Sequence, residues 1–143
     1  MNNLQRDNNP ALRQWSALQA KDLLERSLKL NPANDSARVG IGATYLFGGI
    51  ADNPLEGIRI LKEVVDKDST NVYAQLTLAK GSMVSGQFDK AISRLELVNQ
   101  LQPSNLDAIL MLADIYENQG DKKKAVEWYK KSIPFSPDPG FTR

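Results

Sequence analysis

A period of about 34 residues constrains this chain more than any single motif. Gly86 and Gly120 stand 34 apart, as do Ala91 and Ala125, Asn71 and Asn105, Pro103 and Pro137, Ala79 and Ala113, and Leu78 and Leu112. One period upstream the interval is 37 for Asn34 to Asn71, Ile41 to Leu78 and Gly49 to Gly86, yet Leu61 to Leu95 is again 34. Three extra residues therefore lie between Gly49 and Gly57, because the register holds on either side. A fixed period of this length marks stacked supersecondary units, each burying its apolar face on its neighbour.

Within each period the apolar spacing is helical, and no segment alternates with period two, so the fold class is all-α. In the middle period Leu76, Leu78, Met83 and Val84 mark one amphipathic helix, and Phe88, Ala91, Ile92, Leu95 and Val98 mark a second. Ser85 and Gly86 break the chain between them, since glycine readily takes the left-handed conformation that ends a helix. Pro103 stops the second helix, and Ser104 with Asn105 supplies the next cap. The last period predicts helices over Leu106–Gln119 and Lys122–Ile133, around a turn at Gly120 and Asp121. In the first, one helix spans Asp35–Phe47. Its partner starts at Asn53, Pro54, Leu55 and Glu56, a cap, a first-turn proline and the acid of a capping box.

These residues resemble the tetratricopeptide repeat. The last period matches its pattern at Leu112, Ala113, Tyr116, Gly120, Ala125, Tyr129, Ser132 and Pro137. The middle one matches at Leu78, Ala79, Gly86, Ala91, Leu95, Val98 and Pro103, with Ser82 where the family prefers Tyr. The first matches at Ile41, Gly42, Tyr45, Gly49, Leu61 and Val64, with Gly57 and Ser69 replacing the usual Ala and Pro. The resemblance covers Asp35 to about Pro139 and implies an α-α superhelix of about seven helices, three full repeats plus an N-terminal half repeat. The expected organisation is an extended or disordered segment over residues 1–9, a half repeat over 10–34, repeats over 35–71, 72–105 and 106–139, and a tail over 140–143.

The half repeat is read from Ala20, Leu24, Ser27 and Pro32, which align with Ala91, Leu95, Val98 and Pro103. Asn9 and Pro10 are a cap and a first-turn proline, so a single helix is expected over Pro10–Leu30, with Leu12, Trp15, Leu18, Leu23, Leu24 and Leu28 on its apolar face. At the other end Pro134 shortens the last helix, and Ser136 to Gly140 is not helical. An array without polar capping helices leaves its flanks open. Three readings follow: a fragment of a longer protein, a homodimer through exposed ends at Trp128, Tyr129 and Ile133, or a lid formed by Phe135–Phe141.

The resemblance also implies where a guest sits, because in this family the first helix of each hairpin lines a concave groove. The inward residues are then Val39, Ala43, Leu46 and Phe47; Tyr73, Leu76, Thr77, Lys80, Met83 and Val84; and Asp107, Leu110, Met111, Asp114, Glu117 and Asn118. Such a groove is apolar at one end and acidic at the other, though each of these residues reads equally as inter-repeat core. The family's clamp for a terminal carboxylate needs Lys, Asn and Arg. Val39, Ala43, Thr77, Asp107 and Met111 stand at those positions and offer no cation, so that mode is not expected. Gly40, inside a helix, has no packing reason visible in the sequence, and a close ligand approach is the reading left. Lys122, Lys123 and Lys124 read as a solvated helix start or a docking patch.

Composition removes most chemistry. The chain has no Cys and no His, which leaves it without thiolate or imidazole nucleophiles, bases or metal ligands. Asp114 and Glu117 lack a third ligand, so no metal site is expected, and no cofactor is implied. Eighteen Lys and Arg against 17 Asp and Glu leave +1, too little for general binding to nucleic acid. No apolar run reaches the length of a membrane span, so no direct membrane insertion is expected. The compartment is left open, with the cytoplasm favoured over the periplasm. The expected function is a non-enzymatic module that holds a protein or peptide segment in its groove, as a fragment or subunit of a larger assembly. An oligomerisation scaffold working through its end surfaces is the alternative. A bacterial envelope or cytochrome-maturation assembly factor is a further reading, by family analogy alone.

Overall fold

The computed structural model describes residues 9–48 and 54–136. Seven α-helices occupy them: α1 (Pro10–Leu30), α2 (Asp35–Phe47), α3 (Pro54–Lys67), α4 (Val72–Val84), α5 (Phe88–Leu101), α6 (Leu106–Asn118) and α7 (Lys122–Ser132). No strand occurs among the described residues. The expected cap at Asn53, the extra residues before Pro54, Pro137 and the tail that was to fold back lie outside the described residues.

The periodic asparagines turn out to be helix caps. The side chains of Asn34, Asn71 and Asn105 accept the backbone N–H of Ala37, Ala74 and Ala108, at 3.1, 3.0 and 3.0 Å. Each satisfies one of the donors that a helix start leaves unpaired. Asn9 does the same for α1, accepting from Ala11 and Leu12. The periodic glycines are the opposite punctuation. Gly86 and Gly120 have φ of +78° and +82°. Beyond them, the N–H of Gln87 bonds the carbonyl of Ser82 and that of Asp121 bonds Tyr116. This closure ties off the last carbonyls of α4 and α6 and reverses the chain. Where Ser69 replaces proline, the Asp68 carboxylate accepts both the N–H and the hydroxyl of Thr70, which holds its pKa below the ordinary value.

Two helix ends differ slightly from expectation. α6 stops at Asn118, and α7 stops at Ser132, after which Ile133–Phe135 forms a 3-10 turn. Pro134 has no N–H to continue the α-helical ladder, so the turn tightens instead.

The chain divides into two units, residues 1–78 and 79–143, with α4 contributing to both. In the first, α1 packs on α2 and α2 pairs with α3. Val39, Leu61, Val64, Val65, Ala74 and Leu78 form its core, with Leu46 and Ile58 packed against it. In the second, α5 packs on α6 and α6 pairs with α7. Leu95, Val98, Ile109, Leu112 and Ile115 are fully buried there beside Ala91, Ala113 and Ala125. Two polar residues buried in the first unit are satisfied: Gln75 donates to the Ser69 carbonyl at 2.9 Å and Thr77 to the Tyr73 carbonyl at 2.8 Å.

Small residues set the hairpin seams. A Cβ added at Gly57 would lie 2.6 Å from the Gly42 carbonyl oxygen, and one at Gly42 would lie 2.8 Å from Leu61. α2 and α3 therefore touch nearly backbone to backbone. At Gly40 an added Cβ would meet the end of Leu24 at 2.8 Å. The packing of α1 on α2 gives the glycine a reason that the sequence did not show.

Candidate functional site

In the first unit α1 and α2 leave an open cleft of about 620 Å³. Arg13, Ala17, Ala20, Leu24 and Ser27 line it from α1, and their spacing of three and four residues places them on one helix face. From α2 come Ser36, Ala37, Gly40, Ala43, Thr44 and Phe47, again one face, and Tyr73 of α4 borders it. The room exists because five of these side chains are Ala or Gly. The two helices run in opposite directions, with Ser27 and Asn34 hydrogen-bonded at one end and Arg13 near Phe47 at the other. Phe47 is 38% exposed and Tyr73 50%, so two aromatic rings offer apolar surface to a guest. Of the side chains lining the cleft, that of Arg13 is the charged one.

The residues expected to line a groove separate into three groups. Ala43, Phe47 and Tyr73 meet in this cleft. Val39 does not: it is fully buried in the core with Leu61 and Val64, and the groove role expected for it is corrected to packing. Leu76 is half-buried. In the second unit Lys80, Val84, Asp107, Asp114 and Glu117 are exposed, and Met83 and Leu110 are half-buried.

Asp114 and Glu117 have a definite partner. The Tyr129 hydroxyl lies 2.8 Å from Asp114 Oδ1 and 2.7 Å from Glu117 Oε2. A phenol has one proton, so it donates to one carboxylate at a time, and hydrogen bonding to both, Glu117 foremost, pushes its pKa well above the ordinary tyrosine value. Tyr129 is thus fastened to α6 and half-buried, while Ile133 stays 67% exposed. Trp128 is half-buried with Lys131 Nζ 4.0 Å from its ring centre. The three lysines that open α7 are all exposed. Asp121 caps the helix by accepting from the Lys124 N–H at 3.1 Å, and the Lys124 ammonium sits 5.2 Å from the Tyr116 ring. Among the described residues no group of three or more Asp or Glu is placed to hold a metal ion, and no helix is long and apolar enough to cross a membrane.

Sequence reasoning missed the α1 side of the cleft. The expected apolar face of α1 is mostly exposed at Leu12, Trp15, Leu18 and Leu23, and it is the small residues Ala17 and Ala20 that turn towards α2 and the cleft. The signal was present in the alignment of Ala20 with Ala91, a position where this repeat places a small residue against a neighbouring helix.

Antiparallel helix pairs, capped by periodic asparagines and reversed at periodic glycines, define a helical-repeat protein. The family model for the tetratricopeptide repeat matches residues 83–139 of the chain, and the fold has solved counterparts of that type. The chain is similar to the crystal structure of MamA, with 28% identity over 82% of this chain and 67% of that one, at a TM-score of 0.66. MamA from Desulfovibrio magneticus RS-1, residue 41 to its end, is 18% identical over 90% of this chain and 76% of that one, at a TM-score of 0.65. YrrB, described as a TPR protein with an unusual peptide-binding site, is 22% identical over 87% of this chain at a TM-score of 0.68. The chain spans 62% of the length of YrrB and about two thirds of MamA. By sequence alone the chain has no match among curated proteins.

Proposed function

We propose that the chain binds a peptide or protein segment, and that the cleft on α1 and α2 receives its apolar side chains. The observation that carries this is the lining: Ala17, Ala20, Ala37, Ala43 and Gly40 open the space, while Leu24, Phe47 and Tyr73 give it apolar walls. Its volume of about 620 Å³ falls within the range of built ligand sites, roughly 300–1,000 Å³. The description of YrrB as a peptide-binding protein of the same fold supports the reading.

Peptides selected from a displayed random library on the purified chain test it. By fluorescence anisotropy, Ala43→Arg or Phe47→Glu should weaken the selected peptides at least tenfold, a change of about 1.4 kcal/mol. Ile133→Lys should leave them unchanged. Peptides indifferent to both cleft substitutions would remove the reading. A second use, self-association through the end of α7, is supported by the exposure of Ile133 and Phe135. It predicts that Ile133→Lys, and neither cleft variant, shifts the sedimentation coefficient at tens of micromolar.

A further inference from the structure

We infer that the occupant of the cleft is an amphipathic α-helix from a partner, docked antiparallel to α1 with a small residue against Ala20 and an aromatic residue three positions further on. The inference rests on the peptide-binding reading above and specifies the guest.

The chain contains its own template for this contact. Ala20 holds the register position of Gly57, Ala91 and Ala125. Those three are buried. At Gly57 the covering helix is the first of its own hairpin: α2 lays Gly42 on α3, with Tyr45 one turn later, so that a Cβ at Gly57 would meet the Gly42 carbonyl at 2.6 Å and Tyr45 at 3.0 Å. In the other unit α6 pairs with α7 and carries Ala113 and Tyr116 at the same spacing. α1 has the second-helix sequence without a first helix packed on it among the described residues, and Ala20, only half-buried, lines open space.

The guest is not joined to α1 as α6 is joined to α7. Gly86 and Gly120 make the hairpin turns with positive φ, and the residue at their register position in α1 is Trp15, inside a continuous helix. The tight reversal that would bring a first helix back onto Ala20 is absent there, so the guest is not held by a hairpin turn as α6 is.

Charge complementarity fixes the guest further. A helix antiparallel to α1 runs in the direction of α2, so its C-terminal end comes to the end of the cleft that Arg13 and Phe47 border. A cation at that point favours the negative end of a helix dipole and an acidic residue in the last turn. The guest is therefore a helix with a small residue, an aromatic three residues later, and Asp or Glu near its C-terminus.

α6 has all three features, so its sequence serves as the probe. A synthetic peptide of residues 106–118, cross-linked between positions 110 and 114 to hold it helical and fluorescently labelled, is titrated with the full chain. Binding is expected to weaken at least tenfold with Ala20→Arg in the chain and with Ala113→Leu in the peptide. Arg13→Glu should weaken it severalfold, with a salt dependence smaller than that of the wild type. The methyl resonances of Ala17, Ala20, Ala37 and Ala43 should shift together on addition of peptide. Unchanged circular dichroism and melting of Ala20→Arg confirm that the fold is kept. A Kd indifferent to Ala113→Leu, equal binding of a proline-broken peptide, or no binding at millimolar concentration overturns the inference. Concentration-dependent shifts of the same methyls without peptide assign the cleft to a second copy and overturn it as well. If library peptides bind and respond to Ala43→Arg while the helical probe fails, peptide binding stands and only the helical guest falls.

Discussion

The two hairpin seams of this chain solve one packing problem with different atoms. In α2 and α3 the facing residues are Gly42 and Gly57, and the helices approach until carbonyl oxygen and Cα are neighbours. In α6 and α7 the same register positions hold Ala113 and Ala125, both buried. A methyl group on each side demands a wider seam, so the repeat register is kept while the interhelical distance is free to vary. The period thus fixes which residues face each other, and side-chain size fixes how closely. α1 extends the comparison to a third case, in which no first helix covers Ala20 among the described residues and the space is a cleft.

That contrast gives four measurements, in order of expected effect. Gly57→Ala should destabilise the fold by about 2 kcal/mol in urea unfolding. The new methyl would press on a backbone oxygen, an overpacking cost of up to about 3 kcal/mol, less the roughly 1 kcal/mol that alanine gains in a helix. A neutral result would break the argument for backbone contact at this seam. Ala125→Gly should cost about 1.5 kcal/mol, through helix propensity of roughly 1 kcal/mol and part of a buried methyl worth about 0.8 kcal/mol. Gly40→Ala is expected to stay within about 0.5 kcal/mol of neutral. The helix gains propensity, and the obstructing atom is the end of Leu24, a flexible side chain that borders open space. Together these three substitutions grade the interfaces from tightest to loosest.

The smallest effect concerns Tyr129. The bonds to Glu117 and Asp114 raise its pKa in the folded chain. A group whose folded pKa lies above its unfolded one stabilises most below the unfolded pKa, about 10 for tyrosine, and loses that contribution as pH rises through the folded value. The ultraviolet difference titration between wild type and Tyr129→Phe should therefore show one phenol ionising above the ordinary range. Glu117→Gln combined with Asp114→Asn should bring it back down. A Tyr129 that titrates normally would mean that the two carboxylates do not hold it.

Helix positions were legible because their determinants are local. Asn9, Asn34 and Asn105 name the starts of α1, α2 and α6, and Gly86 and Gly120 the reversals after α4 and α6, since capping and positive φ involve only residues a few positions apart. The 34-residue interval then identifies the facing residues at each seam. The candidate site was legible only in part. Ala43, Phe47 and Tyr73 were found because the repeat register assigns them to exposed faces of first helices. Val39 was misassigned because a helix only 13 residues long with glycine at positions 40 and 42 has no sharply defined apolar face from which to judge its rotation.

The sequence by itself determined the helical-hairpin repeat, its caps and its turns, along with the exclusion of thiol and imidazole chemistry. Only the tertiary structure decided that Gly40 yields to Leu24, that Tyr129 binds Asp114 and Glu117, and that Ala17 and Ala20 open a cleft with Ala43 and Phe47. The physical reason is one of range. Caps and turns are set by hydrogen bonds between near neighbours in the chain, whereas a cleft is space left between helices, and its size depends on side-chain volumes that meet only after folding.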